Sequence, residues 1–149
     1  MEDETMLRIL IAVCAVFCLV GCASTVQYVP MPDQNVLIQD PSKCRVYVYR
    51  PAIVGAAIPM SVSDNGLVIG QTGPKGYLCW ERAPGFFVVK SEAENTDGMP
   101  ITGTQGETYY LFQHVRMGLV VARSELERVQ PEQGKADLRK CSPASPPVR

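Results

Sequence analysis

Residues 44–50 read CRVYVYR, and Pro51 follows them. A run of β-branched and aromatic side chains favours a β-strand, and the proline ends it because proline has no N–H to pair with a neighbouring strand. Strand-like runs of this kind recur at 59–63, 67–70, 77–81, 86–90, 101–103, 107–115 and 119–123. This spacing predicts a mainly β fold, a six- to seven-stranded antiparallel sandwich or open barrel.

Turn residues separate these runs. Asn65-Gly66 predicts a hairpin, because both central positions of the preferred two-residue turn need a positive φ. Residues 73–76 (GPKG) and 83–85 (APG) predict two further turns, and we expect the polar stretch 92–100 to be a loop. Residues 131–140 begin with a proline, which suits the first turn of a helix, and they predict a short C-terminal helix.

The balance of charges narrows the classes of function. The chain of 149 residues has 14 Lys and Arg against 15 Asp and Glu, a net charge of −1. Such a chain does not bind nucleic acid through bulk positive charge, so we expect no nucleic-acid partner. Hydrophobic residues make up 46% of the chain, which is enough to drive folding rather than disorder.

The N-terminal region has the pattern of a secretion signal. Residues 9–20 are apolar throughout, too short a run to span a bilayer but of the length of a signal-peptide h-region. Residues 1–5 carry three acids where a positive region is expected, which favours Met6 as the true start of translation.

The four residues after the apolar run, 19–22 (LVGC), resemble a bacterial lipobox. The resemblance implies cleavage between Gly21 and Cys22, attachment of a diacylglyceryl group to the Cys22 thiol and acylation of the new N-terminal amine. Two or three acyl chains would anchor the protein stably, whereas one would not. Apart from this covalent lipid we expect no cofactor.

The chain divides into four segments on this interpretation. Residues 1–21 are a signal peptide, and residues 22–43, rich in proline and polar side chains, are a lipidated N-terminus and tether. Residues 44–141 are a β domain with its C-terminal helix. Residues 142–149 contain three prolines, and we expect a disordered tail.

The order of the motifs resembles a family of small bacterial lipoproteins with a β-rich domain of unknown function. Residues 45–51 (RVYVYRP), followed by a Gly-containing loop, resemble the opening strand of that family, and residues 64–66 (DNG), followed by Gly70, resemble its hairpin. Residues 83–85 resemble its PPG-type turn, which also occurs in PEGA-like surface β domains.

This resemblance covers about residues 44–140. It implies a location in the cell envelope and a compact β fold, and it supplies no activity. Phe87 stands where the family often has a histidine, so no role of that histidine is carried over.

The sequence offers few residues for catalysis. His114 is the single histidine, in a predicted strand on the face shared with Tyr110 and Phe112. No spacing indicates a Ser-His-Asp triad or a metal site, so we expect no catalytic residues, no metal and a protein that is not an enzyme. A cleft that joined His114 to Asp97 or Glu107 would instead favour an enzyme.

Three cysteines besides Cys22 remain after processing. In an oxidising compartment two of them can pair, and we expect Cys44 and Cys141 to join the helix to the first strand. Cys79, beside Trp80, is expected to be a buried thiol. Six aromatic residues would form a surface for glycan or peptide contact if they were exposed: Tyr47, Tyr49, Tyr77, Trp80, Tyr109 and Tyr110.

We therefore expect a membrane-anchored envelope lipoprotein that acts as a non-enzymatic binding module. Ala23 rather than Asp follows the lipidated cysteine, which by resemblance to Gram-negative lipoproteins favours the outer membrane facing the periplasm in a Gram-negative cell. The partner is the membrane and an unknown envelope protein or glycan, bound by strand addition or loop contact. Two alternatives stay open: an accessory or enzyme that acts on peptidoglycan or another cell-wall glycan, and a purely structural envelope component.

Overall fold

The structure, a computed structural model, describes residues 23–117 and 122–147. Gly21, Cys22 and the predicted signal peptide lie outside these residues. Ten strands and one helix occur within them: β1 Val26–Gln27, β2 Cys44–Arg50, β3 Met60–Asp64, β4 Leu67–Thr72, β5 Gly76–Arg82, β6 Gly85–Glu92, β7 Thr96–Gly103, β8 Thr108–Met117, β9 Ala122–Val129, α1 Pro131–Leu138 and β10 Ser142–Pro143.

The strands form two five-stranded sheets that pack face to face. The first sheet has the order β1-β4-β3-β6-β7 and the second the order β10-β5-β2-β8-β9. The predicted β sandwich with a short C-terminal helix is therefore confirmed. Two pairings, β2 with β8 and β10 with β5, are parallel rather than antiparallel.

Alternating side chains from both sheets fill the space between them. Val46, Val48 and Leu78 of the second sheet pack with Val62 and Val89 of the first, and these five side chains are inaccessible to solvent. Burying one such side chain contributes about 1.5–3 kcal/mol, so this layer is the main source of stability.

The hairpin between β3 and β4 has the predicted turn. Asn65 has φ 46° and Gly66 has φ 88°, the pair of positive angles that the two-residue turn requires. The Asn65 side chain also fixes the turn to β6, because its Oδ1 accepts the Val88 N–H at 2.9 Å.

The predicted loop at 92–100 is wrong, because Thr96–Gly103 is β7 and pairs with β6 along its whole length. The outward residues Thr96, Gly98, Pro100 and Thr102 are exposed, and their polar or turn-forming character hides the strand. Pro100 is tolerated because β7 is the last strand in its sheet.

The final strand of the second sheet also lies later than predicted. β9 is Ala122–Val129 rather than 119–123, of which 119–121 are outside the described residues. Its sequence ARSELERV alternates small or apolar inward residues with charged outward ones, so it lacks the β-branched run that indicates a strand.

Residues 23–43 and 142–147 pack against the sandwich, whereas the sequence predicted a tether and a disordered tail. β1 pairs with β4, and the Arg45 guanidinium donates to the carbonyl oxygens of Val36 and Asp33 at 2.7 and 3.2 Å. β10 pairs with β5, and the Gln27 N–H donates to the Ser145 carbonyl at 3.0 Å. Prolines hold both segments extended, which suits a chain that lies along the sandwich.

Within the described residues, contacts connect the two sheets along both sides of the sandwich. β1 and Ser145 form one bridge between the sheets. On the other side Asn95 exchanges two hydrogen bonds with the Ser124 backbone, both at 2.8 Å, and Asp97 accepts the Leu126 N–H. These contacts cap the outer edge of β9 with side chains.

The helix α1 covers part of the outer face of the second sheet. Pro131 begins it as predicted, and Gly134, inside it, packs directly on the Tyr110 ring, where a Cβ would overlap the ring. Within the described residues, no helix has the length and apolar character needed to cross a membrane.

The strand directions define two ends of the sandwich. The Ala23 end comprises Ala23, the loop 51–59 and the turns 73–75 and 93–95. The Asn65 end comprises the turns 65–66, 83–84 and 104–107.

Candidate functional site

The first residues of the described chain lie in a groove made by three glycines, Gly70, Gly73 and Gly76. A Cβ on Gly73 would overlap the Ala23 carbonyl oxygen, and a Cβ on Gly70 would overlap that of Val26. A Cβ on Gly76 would overlap the Thr25 side chain. This glycine groove therefore exists only because all three side chains are absent.

Hydrogen bonds fix residues 23–28 in the glycine groove. The Ala23 N–H donates to the Ala56 carbonyl at 2.7 Å, and the Gly73 N–H donates to the Thr25 hydroxyl at 2.8 Å. The buried Gln27 amide pairs with both backbone groups of Cys79, at 2.7 and 2.9 Å, as a neighbouring strand would. The chain is thus part of the fold from Ala23 onward, and residue 22 is joined to this end by one peptide bond.

A cleft of about 700 Å³ lies towards the Asn65 end, between residues 29–32 and the β4–β5 side of the sandwich. Met31, Leu67 and Ile69 form apolar walls, and Lys43 and Asp40 stand at its charged side. β4 runs from Leu67 in this cleft to Thr72 beside the Ala23 end, a length of about 17 Å at 3.4 Å per residue.

An ion pair closes the floor of the cleft. Asp64 is buried, its Oδ2 accepts the Trp80 indole N–H at 2.9 Å, and its Oδ1 binds Arg82. The Arg82 guanidinium lies 3.9 Å from the centre of the Phe87 ring, the position where the resembled family often has a histidine. These contacts hold the side chains of Trp80 and Arg82 in fixed positions at the floor of the cleft.

A second buried ion pair fastens the wall of the cleft. Arg45 binds Glu81 at 2.7 Å, and Glu81 also accepts the backbone N–H groups of Gln39 and Asp40 at 2.6 and 3.0 Å. Burial alone would raise the pKa of Glu81, but these donors outweigh it and the pKa is lowered. The pair therefore has a structural role, because it holds residues 33–40 against β2 and β5.

The exposed apolar residues at the Asn65 end were missed by sequence reasoning. Leu67 is 62% exposed and Phe86 is 68% exposed, and each follows a turn. An apolar residue directly after a turn glycine is the signal that would have indicated them. The cleft itself depends on residues far apart in sequence, and no local pattern marks it.

His114 lies apart from both carboxylates that would have favoured an enzyme. Its Nε2 is 2.7 Å from Glu127 Oε2, and its ring stacks on Phe112 at 4.3 Å on the outer face of the second sheet. Glu107 precedes it by seven positions along the chain, about 23 Å of extended strand. Asp97 lies in the β7–β9 seam, bound to the Leu126 N–H.

The predicted Cys44–Cys141 disulfide is wrong in this structure. Cys44 pairs with Arg82 at one end of β5, and Ser142, next to Cys141, pairs with Gly76 at the other. The length from Gly76 to Arg82 is about 20 Å, whereas a disulfide needs Cα atoms within about 7 Å. All three described cysteines are free thiols, and burial raises the pKa of Cys79 to about 11.

The aromatic residues do not form an exposed surface. Tyr47, Tyr49, Tyr77 and Tyr110 are buried on the outer face of the second sheet, packed against Met31 and the α1 residue Leu138. Trp80 and Tyr109 lie in the core between the sheets. Their role is therefore packing.

Metal ligands do not gather in the part of the chain that the structure describes. Residues 23–117 and 122–147 contain no group of three or more His, Cys, Asp or Glu side chains placed to hold an ion.

Comparison with known proteins finds a distant relative. The chain is 26% identical over 132 residues to an uncharacterized protein of Haemophilus influenzae, a match that covers 85% of this chain and 78% of that protein. No family model matches the chain.

Proposed function

We propose that this chain is a membrane-anchored envelope lipoprotein whose β-sandwich is a non-enzymatic binding module. The lipid is carried by Cys22 after cleavage at Gly21, and in a Gram-negative cell the protein faces the periplasm from the outer membrane. The lipobox-like residues 19–22 after an apolar run support the anchor.

The observation that carries the binding role is the placement of the cleft relative to Ala23. The anchored residue adjoins the Ala23 end, whereas the cleft extends towards the Asn65 end as far as Leu67, about 17 Å along β4 from Thr72. A domain held by its Ala23 end therefore presents the cleft, with Leu67 and Phe86 nearby, away from the membrane.

The mode of binding is contact with the cleft and its turns rather than strand addition. The edge of β9 is capped and β1 is bridged to Ser145, so the edge strand β7 is the long outer strand among the described residues, and its Pro100 opposes pairing with an added strand. The apolar walls and the charged side of the cleft suit a segment of an envelope protein that carries both apolar and charged side chains.

Photocrosslinking in intact cells tests the binding role. Benzoylphenylalanine in place of Leu67 should give a discrete adduct with a partner, whereas the same group in place of the exposed Lys90, on the outer face of the first sheet, should not. Equal patterns from the two positions would refute the proposed binding face.

Fatty-acid labelling tests the anchor. Wild-type protein should incorporate labelled palmitate, and Cys22→Ser should be neither labelled nor processed. Normal maturation of Cys22→Ser would refute the attachment of the lipid to Cys22.

A further inference from the structure

The loop 51–59 has an unusual composition for a surface segment. It reads PAIVGAAIP, nine residues without one polar side chain. Ile53 is 61% exposed and Val54 is 53% exposed, and Ala57 and Pro59 are exposed beside them. A continuous apolar segment on the surface of a folded domain marks a site of interaction.

The loop lies at the Ala23 end, against the first described residue. The Ala56 carbonyl accepts the Ala23 N–H at 2.7 Å, so the loop contacts the residue that follows Cys22 in the sequence. The loop also packs on the end of β8, where a Cβ added to Gly55 would lie 3.1 Å from Val115 Cγ1. Met117, at that strand end, is 66% exposed and extends the apolar surface.

A buried arginine gives the loop a fixed shape. The Arg50 guanidinium is inaccessible to solvent and donates to the carbonyl oxygens of Ile58, Val54 and Gly55 at 2.7, 3.0 and 2.6 Å. Because three carbonyls of the loop are held by one rigid donor fork, Ile53 and Val54 cannot fold inward without breaking these bonds.

We propose that the loop 51–59 is a second membrane contact, which lies in the interfacial layer of the bilayer beside the lipid on Cys22. This inference rests on the proposed function, because the lipid is what brings the bilayer to the Ala23 end. The lipid alone is a flexible point of attachment, whereas the lipid and the loop together fix the orientation of the sandwich and keep the cleft turned away from the membrane.

The charged side chains at the Ala23 end do not favour contact with a surface of either charge. The apolar loop 51–59 is therefore the reason that this end contacts the membrane. Bases and acids are equal in number at the Ala23 end: Lys75, Arg116, Arg123 and Lys140 against Glu92, Glu94, Glu125, which binds Arg116, and Asp137, which binds Lys140. The occupant is therefore the apolar part of a lipid layer rather than an anionic headgroup, and zwitterionic vesicles are the suitable probe.

Tryptophan quenching in vesicles tests the contact. The mature lipoprotein is purified as Ile53→Trp and as Phe86→Trp and is reconstituted in phosphatidylcholine vesicles with brominated acyl chains. Both sites are exposed, at the Ala23 and Asn65 ends respectively, and the native Trp80 is buried in the core of both variants. Ile53→Trp should lose roughly half of its added emission, and Phe86→Trp should lose none.

The outcomes separate the inference from the proposed function. A lipidated protein that floats with vesicles, but whose Ile53→Trp emission is no more quenched than that of Phe86→Trp, overturns the second contact and leaves the anchor intact. A protein without fatty acid on Cys22 that does not float overturns the anchor and the contact together. Val54→Trp, read in the same way, repeats the test if Ile53→Trp does not fold.

Discussion

Substitution of Gly70 by alanine should detach the first strand from the sandwich. The added Cβ would overlap the Val26 carbonyl oxygen and would lie 3.0 Å from Gln27 Cα and from Leu78 Cδ2. Gly70 does not have a positive φ, so the backbone itself accepts alanine and the effect is purely steric. β1 cannot stay in its register once this Cβ is present.

The cost follows from the hydrogen bonds that β1 makes. Displacement of β1 breaks four bonds: from the Tyr28 N–H to Ile69, from the Gln27 N–H to Ser145, and the two between the Gln27 side-chain amide and Cys79. At about 1 kcal/mol net for each bond, the free energy of unfolding should fall by about 4 kcal/mol.

Urea unfolding followed by the emission of the single tryptophan, Trp80, measures this loss. Gly98→Ala is the matched control, because its Cβ would only touch Val88 Cγ1 at 3.5 Å and Lys90 Cγ at 3.9 Å. The control should stay within about 1 kcal/mol of the wild type. Gly70→Ala should also be cleaved faster by chymotrypsin after the half-exposed Tyr28. If Gly70→Ala matched Gly98→Ala in both assays, the account of the glycine groove would be wrong.

Three further outcomes are expected. His114→Ala should lower the free energy of unfolding by only about 1 kcal/mol, because it removes the stacking on Phe112 and a contact with the exposed Glu127. It should leave growth phenotypes unchanged, and a large loss of cellular function would support a catalytic role. The lowered pKa of Glu81 contributes stability that is present above the unfolded-state pKa of about 4.3 and is lost as the pH falls through the folded-state pKa. The urea midpoint of the wild type should therefore fall more steeply on acidification than that of Glu81→Gln, and parallel curves would contradict this assignment. Peptide mapping without reductant should find Cys44, Cys79 and Cys141 as free thiols, with Cys44 and Cys79 reactive only after unfolding; a Cys44–Cys141 disulfide would contradict the strand register.

The central strands were predictable from the sequence because their residue types favour a β-strand and also suit burial on both faces. β2 and β5 are rich in β-branched and aromatic side chains and are buried on both faces, so nothing in their sequences opposes a strand. β7 and β9 have one exposed face each, and the Gly, Pro, Glu and Arg residues on that face are residue types typical of loops. Strands with such residues can be identified only when the neighbouring strands that pair with them are known.

The position of the N-terminal segment was not predictable from local pattern. Prolines and polar residues in 23–43 are typical of a tether, and the groove that binds them is formed by glycines almost fifty positions later. The spacing of three between Gly70, Gly73 and Gly76 was visible, but turns explained it equally well. The same holds for the loop 51–59, whose lack of polar side chains was visible while its neighbour, Ala23, was not.

The bridge between Val26 and Ser145 joins the beginning of the described chain to its end. During synthesis β1 therefore cannot pair with Ser145 until almost the whole polypeptide has been made. Contacts between residues so distant in sequence also form slowly. A product truncated before Ser142 would expose two short unpaired edges side by side, which is a template for aggregation. Expression designs should keep residues 142–147 and should attach affinity tags beyond them.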